Sequence, residues 1–152
     1  MTKRNEQMYL INDINDKDYS LVNVYGPNND DPNFFELLKV KLEQVNNEHI
    51  IIGGDFNVVQ DYDIDTLNIL KKQNVKSNEC INKLKYDLDL YDPWRQYNEF
   101  SKVYTWHNSR NQHSILDYFL VSSNIMNQIS SSSIKPGYRS DHSLVIMEMC
   151  VD

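Results

Sequence analysis

A carboxylate and a carboxamide lie two positions apart in the stretch IIIGGDFNVV, residues 50–59. Three isoleucines and a glycine pair precede Asp55 and Asn57, a pattern typical of a buried strand that ends in a tight turn. On an extended backbone the two side chains would point to the same side. A carboxylate there can orient or deprotonate a water, and an amide can donate to an anionic oxygen. Since Gly, Asp and Asn also form ordinary turns, the stretch alone supports both readings.

A phenol follows a second strand pattern, in NVYGPN, residues 23–28. Tyr25 stands directly before a Gly-Pro pair that ends the strand. A tyrosine at a strand end can donate to a phosphoryl oxygen, although such a residue is more often an amphipathic rim residue. The motif therefore indicates a phosphate contact only in combination with the other strand ends.

A third polar strand end is SDHS, residues 140–143, which precedes the last apolar run. Asp141 offers a hard oxygen ligand suited to Mg²⁺. A lone histidine is usually a surface or core residue, but His142 becomes an acid–base group if a carboxylate orients its ring. Asp117, in SILDYF, is the carboxylate that we expect to do so.

The elements that must position these residues alternate between strands and helices. We expect strands at 7–11, 20–25, 50–52, 104–106, 116–122 and 143–150, and a helix at 32–46 that Asp31 and Pro32 begin. Residues 62–75 are polar with helical tendency, and Ser77 is the expected cap of a second helix. This alternation predicts a layered α/β domain, whose ligand sites gather at strand ends.

Length and composition restrict the possible functions. The 152 residues predict a single domain, 1–152, with an ordinary soluble composition of 40% hydrophobic and 24% charged residues. The net charge is −7. A protein that binds nucleic acid mainly by neutralising phosphates usually has a cluster of basic residues, and the sequence shows none. An enzyme that meets phosphate through a bound cation remains compatible with this charge. No apolar run suggests a membrane span or a signal peptide, so we expect no membrane partner and an intracellular location.

Together the motifs resemble the endonuclease/exonuclease/phosphatase superfamily, which has the DNase I-like fold. The chain is most similar to the apurinic-type endonuclease domain of LINE-type, non-LTR retrotransposons. The motifs that carry the resemblance run in family order: NVYGPN (23–28), IIIGGDFNVV (50–59), LYDPWRQYNEFSKVYTWHNS (90–109), SILDYFLVS (114–122) and SDHSLV (140–145). Each is weak alone, but the set is specific and spans nearly the whole chain.

The resemblance implies hydrolysis of a DNA phosphodiester with Mg²⁺, or alternatively Mn²⁺, as the cofactor. It also implies part of a four-layer α/β/β/α sandwich, an α/β (α+β) fold, and a reverse transcriptase downstream in a parent element that acts in the nucleus. The implied catalytic residues are His142, Asp55, Asn57, Asp117 and Tyr25. The implied metal ligands are Asp141 and Asp55, and the implied substrate contacts are Asn28, Thr105 and Trp106, the last two near the DNA-facing surface.

The sequence departs from the family pattern at three places. Ile115 replaces a cation that the family has after the serine of SILD, and Glu99 replaces a family proline without expected consequence. The pattern is kept at Arg95, which matches a family position that is either structural or close to DNA. The family's first strands, first helix and metal-binding glutamate have no counterpart here, since nothing around Glu6 matches the glutamate motif.

These departures imply an apolar sheet face left open and a weakened Mg²⁺ site. Besides an active endonuclease, the sequence therefore allows a catalytically inactive remnant of that domain. A phosphatase of the same fold is a further alternative.

Overall fold

The computed structural model describes residues 7–14 and 17–151. The strands are β1 (Gln7–Ile14), β2 (Lys17–Tyr25), β3 (Ile50–Asp55), β4 (Thr66–Leu67), β5 (Leu90–Tyr91), β6 (Trp106–His107), β7 (His113–Ser114), β8 (Asp117–Ser122), β9 (Ile129–Lys135) and β10 (Leu144–Met149). The helices are α1 (Pro32–Val45), α2 (Val75–Asp87) and α3 (Pro93–Tyr97), and a 3₁₀ helix spans Ser123–Gln128. No helix within the described ranges is long and apolar enough to cross a membrane.

The main sheet has the strand order β1-β2-β3-β8-β5. Strands β2 and β3 are parallel and joined through α1, whereas β8 runs antiparallel to β3. The register pairs Tyr25 with Asp55, and Asp55 with Asp117. Three of the polar residues selected from the sequence therefore lie in one row across three neighbouring strands.

Strand β3 is buried on both faces, as its unbroken isoleucine run predicts. Ile50 and Ile52 pack with the apolar sides of α1 and α2, while Ile51 packs in a separate cluster on the opposite face. Phe56 stacks on Tyr118 with 4.1 Å between ring centroids, and the ring of Phe35 in α1 is stacked with that of Phe56 at 6.4 Å. Aromatic packing thus fixes the strand ends beside the polar row.

The second face of the main sheet is covered in part by a sheet of β9 and β10. Val121 packs there with Ile125 and Ile129, and with methionines of β10. A groove of about 470 Å³ between the two sheets is lined by Leu21, Phe119 and the exposed Leu144, among others. The described residues thus form α, β and β layers with an apolar sheet face partly open, as the resemblance implies.

Two local expectations for the segment before α2 are wrong. Residues 62–74 form turns and the short strand β4, and the helix begins at Val75. Ser77 does not cap the helix, because Asn74 occupies the N-cap position. The carboxylate of Asp30 instead accepts hydrogen bonds from the backbone N–H groups of Lys76 and Ser77 at 3.1 and 2.8 Å. The cap comes from a loop 46 residues earlier in the chain, which local propensity cannot show.

Candidate active site

The site is built on the polar row at the ends of β2, β3 and β8. Strand β6 brings the fourth component, because Trp106 forms an antiparallel bridge with His142. The N–H of His107 donates to the carbonyl of Asp141 at 3.1 Å, which holds the SDHS loop against the same strand. Residues from four distant segments therefore meet at one edge of the sheet.

Asp117 and His142 form a hydrogen-bonded pair. His142 Nδ1 lies 2.8 Å from Asp117 Oδ2, and His142 Nε2 lies 3.8 Å from Asp55 Oδ2. The three side chains are 16–31% exposed, so they are reachable from solvent but largely surrounded by protein. Asp117 therefore orients an imidazole whose other nitrogen faces Asp55, the arrangement that general acid–base chemistry needs.

Asn57 reaches the site through a turn and not along an extended strand. Its φ of 53° is left-handed, and its N–H donates to Asp55 Oδ1 at 2.9 Å. The side-chain amide donates to the carbonyl of Gly26 at 2.8 Å, which ties the two strand ends together. The expectation that both side chains share a side because the backbone is extended is thus wrong, although both line the same cleft.

Gly54, at the end of β3, must be a glycine because the backbone of β2 approaches it closely. Gly54 has a φ of 140°, and a Cβ there would lie 2.1 Å from the carbonyl oxygen of Val24. Any side chain at this position would push β2 and β3 apart and disrupt the row. The glycine pair thus allows Tyr25 and Asp55 to lie side by side.

The electrostatics of the site are dominated by carboxylates. Burial and the neighbouring charge of Asp117 raise the pKa of Asp55 to about 6 from its usual 3.8. Burial acts to lower the pKa of His142, but the hydrogen bond and charge of Asp117, with the charges of Asp55 and Asp141, raise it above the usual 6.5. The imidazole is therefore held in its charged form more strongly than a free histidine.

This cluster fits a divalent cation by its donor chemistry. Potential ligand atoms of Asp55, Asp117 and His142 lie within 4.8 Å of one another, and the carboxylate oxygens are the donors, because a charged imidazole has no lone pair to offer. In the part of the chain that the structure describes, one imidazole, that of His142, pairs with Asp55 and Asp117, so a cation would relieve the repulsion between the carboxylates. Asp141 lines the same cleft but is exposed and lies outside this close group. The structure therefore centres the candidate site on Asp55 and adds Asp117 to the carboxylates expected there.

Thr105, expected near the DNA-facing surface, is not among the residues that line the cleft. It is fully buried, and its hydroxyl oxygen accepts hydrogen bonds from the N–H groups of Leu116 and Asp117 at 2.9 and 3.1 Å. Its carbonyl accepts from the N–H of Ser143 at 2.6 Å. Thr105 therefore connects the segment of Asp117 to the segment of His142.

The other expected substrate contacts lie in the cleft. A cavity of about 570 Å³ is lined by Tyr25, Asn28 and Trp106 together with Asp55 and His142. Tyr25 is 55% exposed, so its hydroxyl is available to a ligand. The same cavity is lined by residues that sequence reasoning missed: Tyr62, Ile69, Leu70, Lys71, Gln73 and Asn74. Two adjacent lysines, 71 and 72, in an otherwise acidic part of the chain were the available signal.

Arg95 is structural, which resolves the choice that the sequence left open. Its guanidinium forms an ion pair with the buried carboxylate of Asp65 and donates to the carbonyls of Asn98 and Ser101 at 2.9 and 3.0 Å. The carbonyl of Asp65 in turn accepts from the N–H of Ile115, a core residue two positions before Asp117. The ion pair thus supports the strand that carries the catalytic candidate.

Comparison with solved structures defines the fold class. The chain matches the AP endonuclease LMAP of Leishmania major with a TM-score of 0.84 and 19% identity, over 98% of this chain and 55% of that one. The endonuclease domain of TRAS1, a telomere-specific non-LTR retrotransposon, matches with 0.72 and 17%, over 97% and 64%. The 3'-5' exonuclease NExo of Neisseria meningitidis matches with 0.70 and 24%, over 86% and 61%. The fold is that of the DNase I-like endonucleases.

The family follows from sequence. The family described as Endonuclease-reverse transcriptase matches residues 19–146. The Transposon TX1 uncharacterized 149 kDa protein of Xenopus laevis is 33% identical over 139 residues, which cover 88% of this chain and 10% of that protein. This chain belongs to the endonuclease–reverse transcriptase family and contains a LINE-type, DNase I-like endonuclease domain.

Proposed function

We propose that this chain is the DNA endonuclease domain of a LINE-type retroelement, and that it hydrolyses a phosphodiester with a divalent cation. The observation that carries the proposal is the Asp117–His142 pair facing Asp55 at the bottom of an open cleft. A candidate acid and a candidate base thus line the same cavity of about 570 Å³. The nuclease family of the chain supports the same chemistry.

Each side chain has a distinct role in the proposed reaction. His142, charged and held by Asp117, donates a proton from Nε2 to the leaving oxygen as its bond to phosphorus breaks. Asp55, with a pKa of about 6, accepts a proton from the attacking water. Asn57 fixes the Asp55 carboxylate through its backbone N–H, and Tyr25 donates to a phosphate oxygen from the cleft mouth.

The cofactor in this proposal is Mg²⁺, with Mn²⁺ as an alternative. A bound cation would act as a Lewis acid and neutralise charge at the phosphoryl group. Asp55 would hold it, with Asp141 approaching from the exposed side of the cleft. The donor set supports a cation, because three carboxylates gather around one imidazole.

DNA is the proposed substrate, and the nucleus of the cell is the proposed place of action. A reverse transcriptase in the same element is the proposed partner, as the family description and the transposon relative suggest. The cation would compensate for the net charge of −7, which otherwise disfavours contact with phosphates.

A plasmid-nicking assay with Mg²⁺ and with EDTA tests the proposal. We expect nicking with Mg²⁺, none with EDTA, and a loss of at least 100-fold in His142→Ala, because the general acid is removed. Leu37→Ala is a matched control, since Leu37 is 59% exposed on α1 and outside the cleft. Nicking by His142→Ala at the wild-type rate would refute the assignment.

An inactive domain is the alternative that one observation favours. Among residues 17–151, whose side chains the structure describes, no glutamate lines the cleft, and Mg²⁺ sites depend on a few carboxylates. Calorimetric titration with Mg²⁺ separates the two possibilities. Binding below millimolar metal supports the enzyme, and no binding up to about 10 mM supports the inactive form. Release of phosphate from 3'-phosphorylated DNA without nicking would instead indicate a phosphatase.

A further inference from the structure

Residues 68–74 form a rim loop over the cleft, and both of its ends are fixed by amide hydrogen bonds. At one end Asn68 donates from its side chain to the carbonyl of Asn111 at 2.8 Å, in the turn that joins β6 to β7. At the other end Asn74 donates to the carbonyl of Asn57 at 2.9 Å. The rim loop is thus attached directly to a residue of the candidate active site.

Leu70 is fully exposed in the middle of this loop. Its relative exposure is 101%, although it belongs to the lining of the same cleft as Asp55 and His142. The side chain therefore gains none of the stabilisation that burial of a leucine provides. A single exposed leucine is ordinary on a protein surface. Leu70, however, lines the candidate active-site cleft on a loop whose two ends are anchored, so it is placed to contact a ligand of that cleft.

The charges beside Leu70 indicate the kind of ligand. Lys71 and Lys72 follow it, and residues 66–74 contain no acidic side chain although the protein carries a net charge of −7. Lys71 lines the cleft, while the ammonium of Lys72 lies 5.5 Å from the centre of the Tyr62 ring. Leu70 offers an apolar side chain and the two lysines offer positive charge. This combination suits a polyanionic ligand whose interior is apolar.

We propose that the rim loop inserts Leu70 between stacked base pairs of duplex DNA, while Lys71 and Lys72 contact the flanking phosphates. Apolar wedges of this kind unstack base steps and kink the duplex, at a cost offset by new protein contacts. The inference rests on the proposed function in one respect, that the ligand of the cleft is DNA. It assigns the distortion of the DNA to a segment separate from the acid–base residues.

Fluorescence of a 2-aminopurine base in a short duplex tests the wedge, since this base brightens when it is unstacked. The titration is done in EDTA, so that no cleavage is needed. We expect the intact chain to raise the fluorescence several-fold at saturation and Leu70→Ala to lose most of that rise. Leu37→Ala, which removes a comparably exposed leucine from α1, should behave as the wild type.

The lysines are tested in the same duplex by anisotropy. Lys71→Gln/Lys72→Gln should weaken binding several-fold and make the dependence on salt shallower by about two counterions. Leu70→Ala should leave the salt dependence unchanged, because it removes no charge. Circular dichroism confirms that each variant is folded.

The outcomes separate the wedge from the catalytic proposal. Unstacking that depends on Leu70, without nicking in Mg²⁺, supports the wedge and refutes the nuclease activity. Nicking with equal 2-aminopurine signals in wild type and Leu70→Ala supports the activity and overturns the wedge. No binding to duplex DNA at any salt concentration overturns the wedge as well.

Discussion

Asp55 is the proposed base of the reaction, and its charged form lowers the stability of the folded protein. Its carboxylate is mostly buried beside Asp117, and no cation of the described part of the chain pairs with it apart from His142. A carboxyl group with a raised pKa in the folded state contributes stability below its unfolded value of 3.8. That contribution is lost as the pH rises through about 6. The site therefore maintains a destabilising charge at the pH where Asp55 would act as a base.

Asp55→Asn should consequently be more stable than the wild type at pH 8, by about 1–2 kcal/mol after allowance for solvent screening. The amide oxygen can still accept from the N–H of Asn57, so the turn is kept. The advantage should vanish at pH 4, where Asp55 is protonated. Urea denaturation at both pH values measures the difference, and nicking should be lost in the variant. A variant less stable than wild type at pH 8 would contradict this account.

Thr105 is predicted to be a positioning residue. Thr105→Val keeps the shape but removes the acceptor of two backbone N–H groups, which should destabilise the fold by about 2 kcal/mol. The displaced segment carries Asp117, so kcat should fall at least ten-fold with little change in KM. The pH profile of the reaction should also shift, because His142 loses its oriented partner.

Thr105→Ser provides the matched comparison, since it retains the hydroxyl. It should recover most of the activity and the wild-type pH profile. A purely structural role would instead lower stability in Thr105→Val while kcat and the pH profile of the folded fraction stay unchanged.

At the scale of elements, α2 depends on a cap from outside its own sequence. Asp30 accepts from two N–H groups at the start of the helix and from the hydroxyl of Ser77 at 2.8 Å. These bonds oppose the effect of desolvation and hold the pKa of Asp30 below its usual value. The loop after β2 and the first turn of α2 are thereby joined beside the cleft.

Asp30→Ala should destabilise the protein by about 1 kcal/mol, the usual cost of losing a helix cap. Asp30→Asn should lose less, because its amide oxygen can accept one of the bonds. Thermal unfolding followed by circular dichroism measures both changes. Equal stability of all three proteins above pH 6 would show that the cap contributes nothing.

At the scale of the whole molecule, the charge distribution limits how DNA can be held. The chain has 15 Lys and Arg against 22 Asp and Glu, so few cations are available to replace the counterions of a duplex. Among the residues described, Lys71 is the one lysine or arginine in the lining of the cleft, and Lys72 adjoins it. Shape and the rim loop must therefore contribute much of any affinity.

The logarithm of the DNA association constant should accordingly fall with the logarithm of salt concentration with a slope of about −2. Basic DNA-binding proteins of similar size have steeper slopes. Anisotropy of a labelled duplex between 50 and 300 mM NaCl, in EDTA, measures the slope. A slope steeper than about −5 would require a cationic surface that the charge distribution does not offer.

The sequence by itself determined the layered α/β class, the helix that begins at Pro32 and the double-sided burial of β3. Each of these is encoded in the spacing of apolar residues along one segment, and spacing reports local burial directly. The family motifs also identified Asp55, Asp117 and His142 as candidates. The resemblance to known nucleases identified these residues, whereas the periodicity of apolar residues could not.

Only the tertiary structure decided how those candidates meet. The pairing of Asp55 with Asp117 spans 62 positions and depends on the register of β3 and β8. The burial of Thr105, the cap from Asp30 and the exposure of Leu70 each result from contacts between segments that are distant in the chain. Such contacts leave no local pattern, because side-chain type states what a residue can bind but not which segment the fold places beside it.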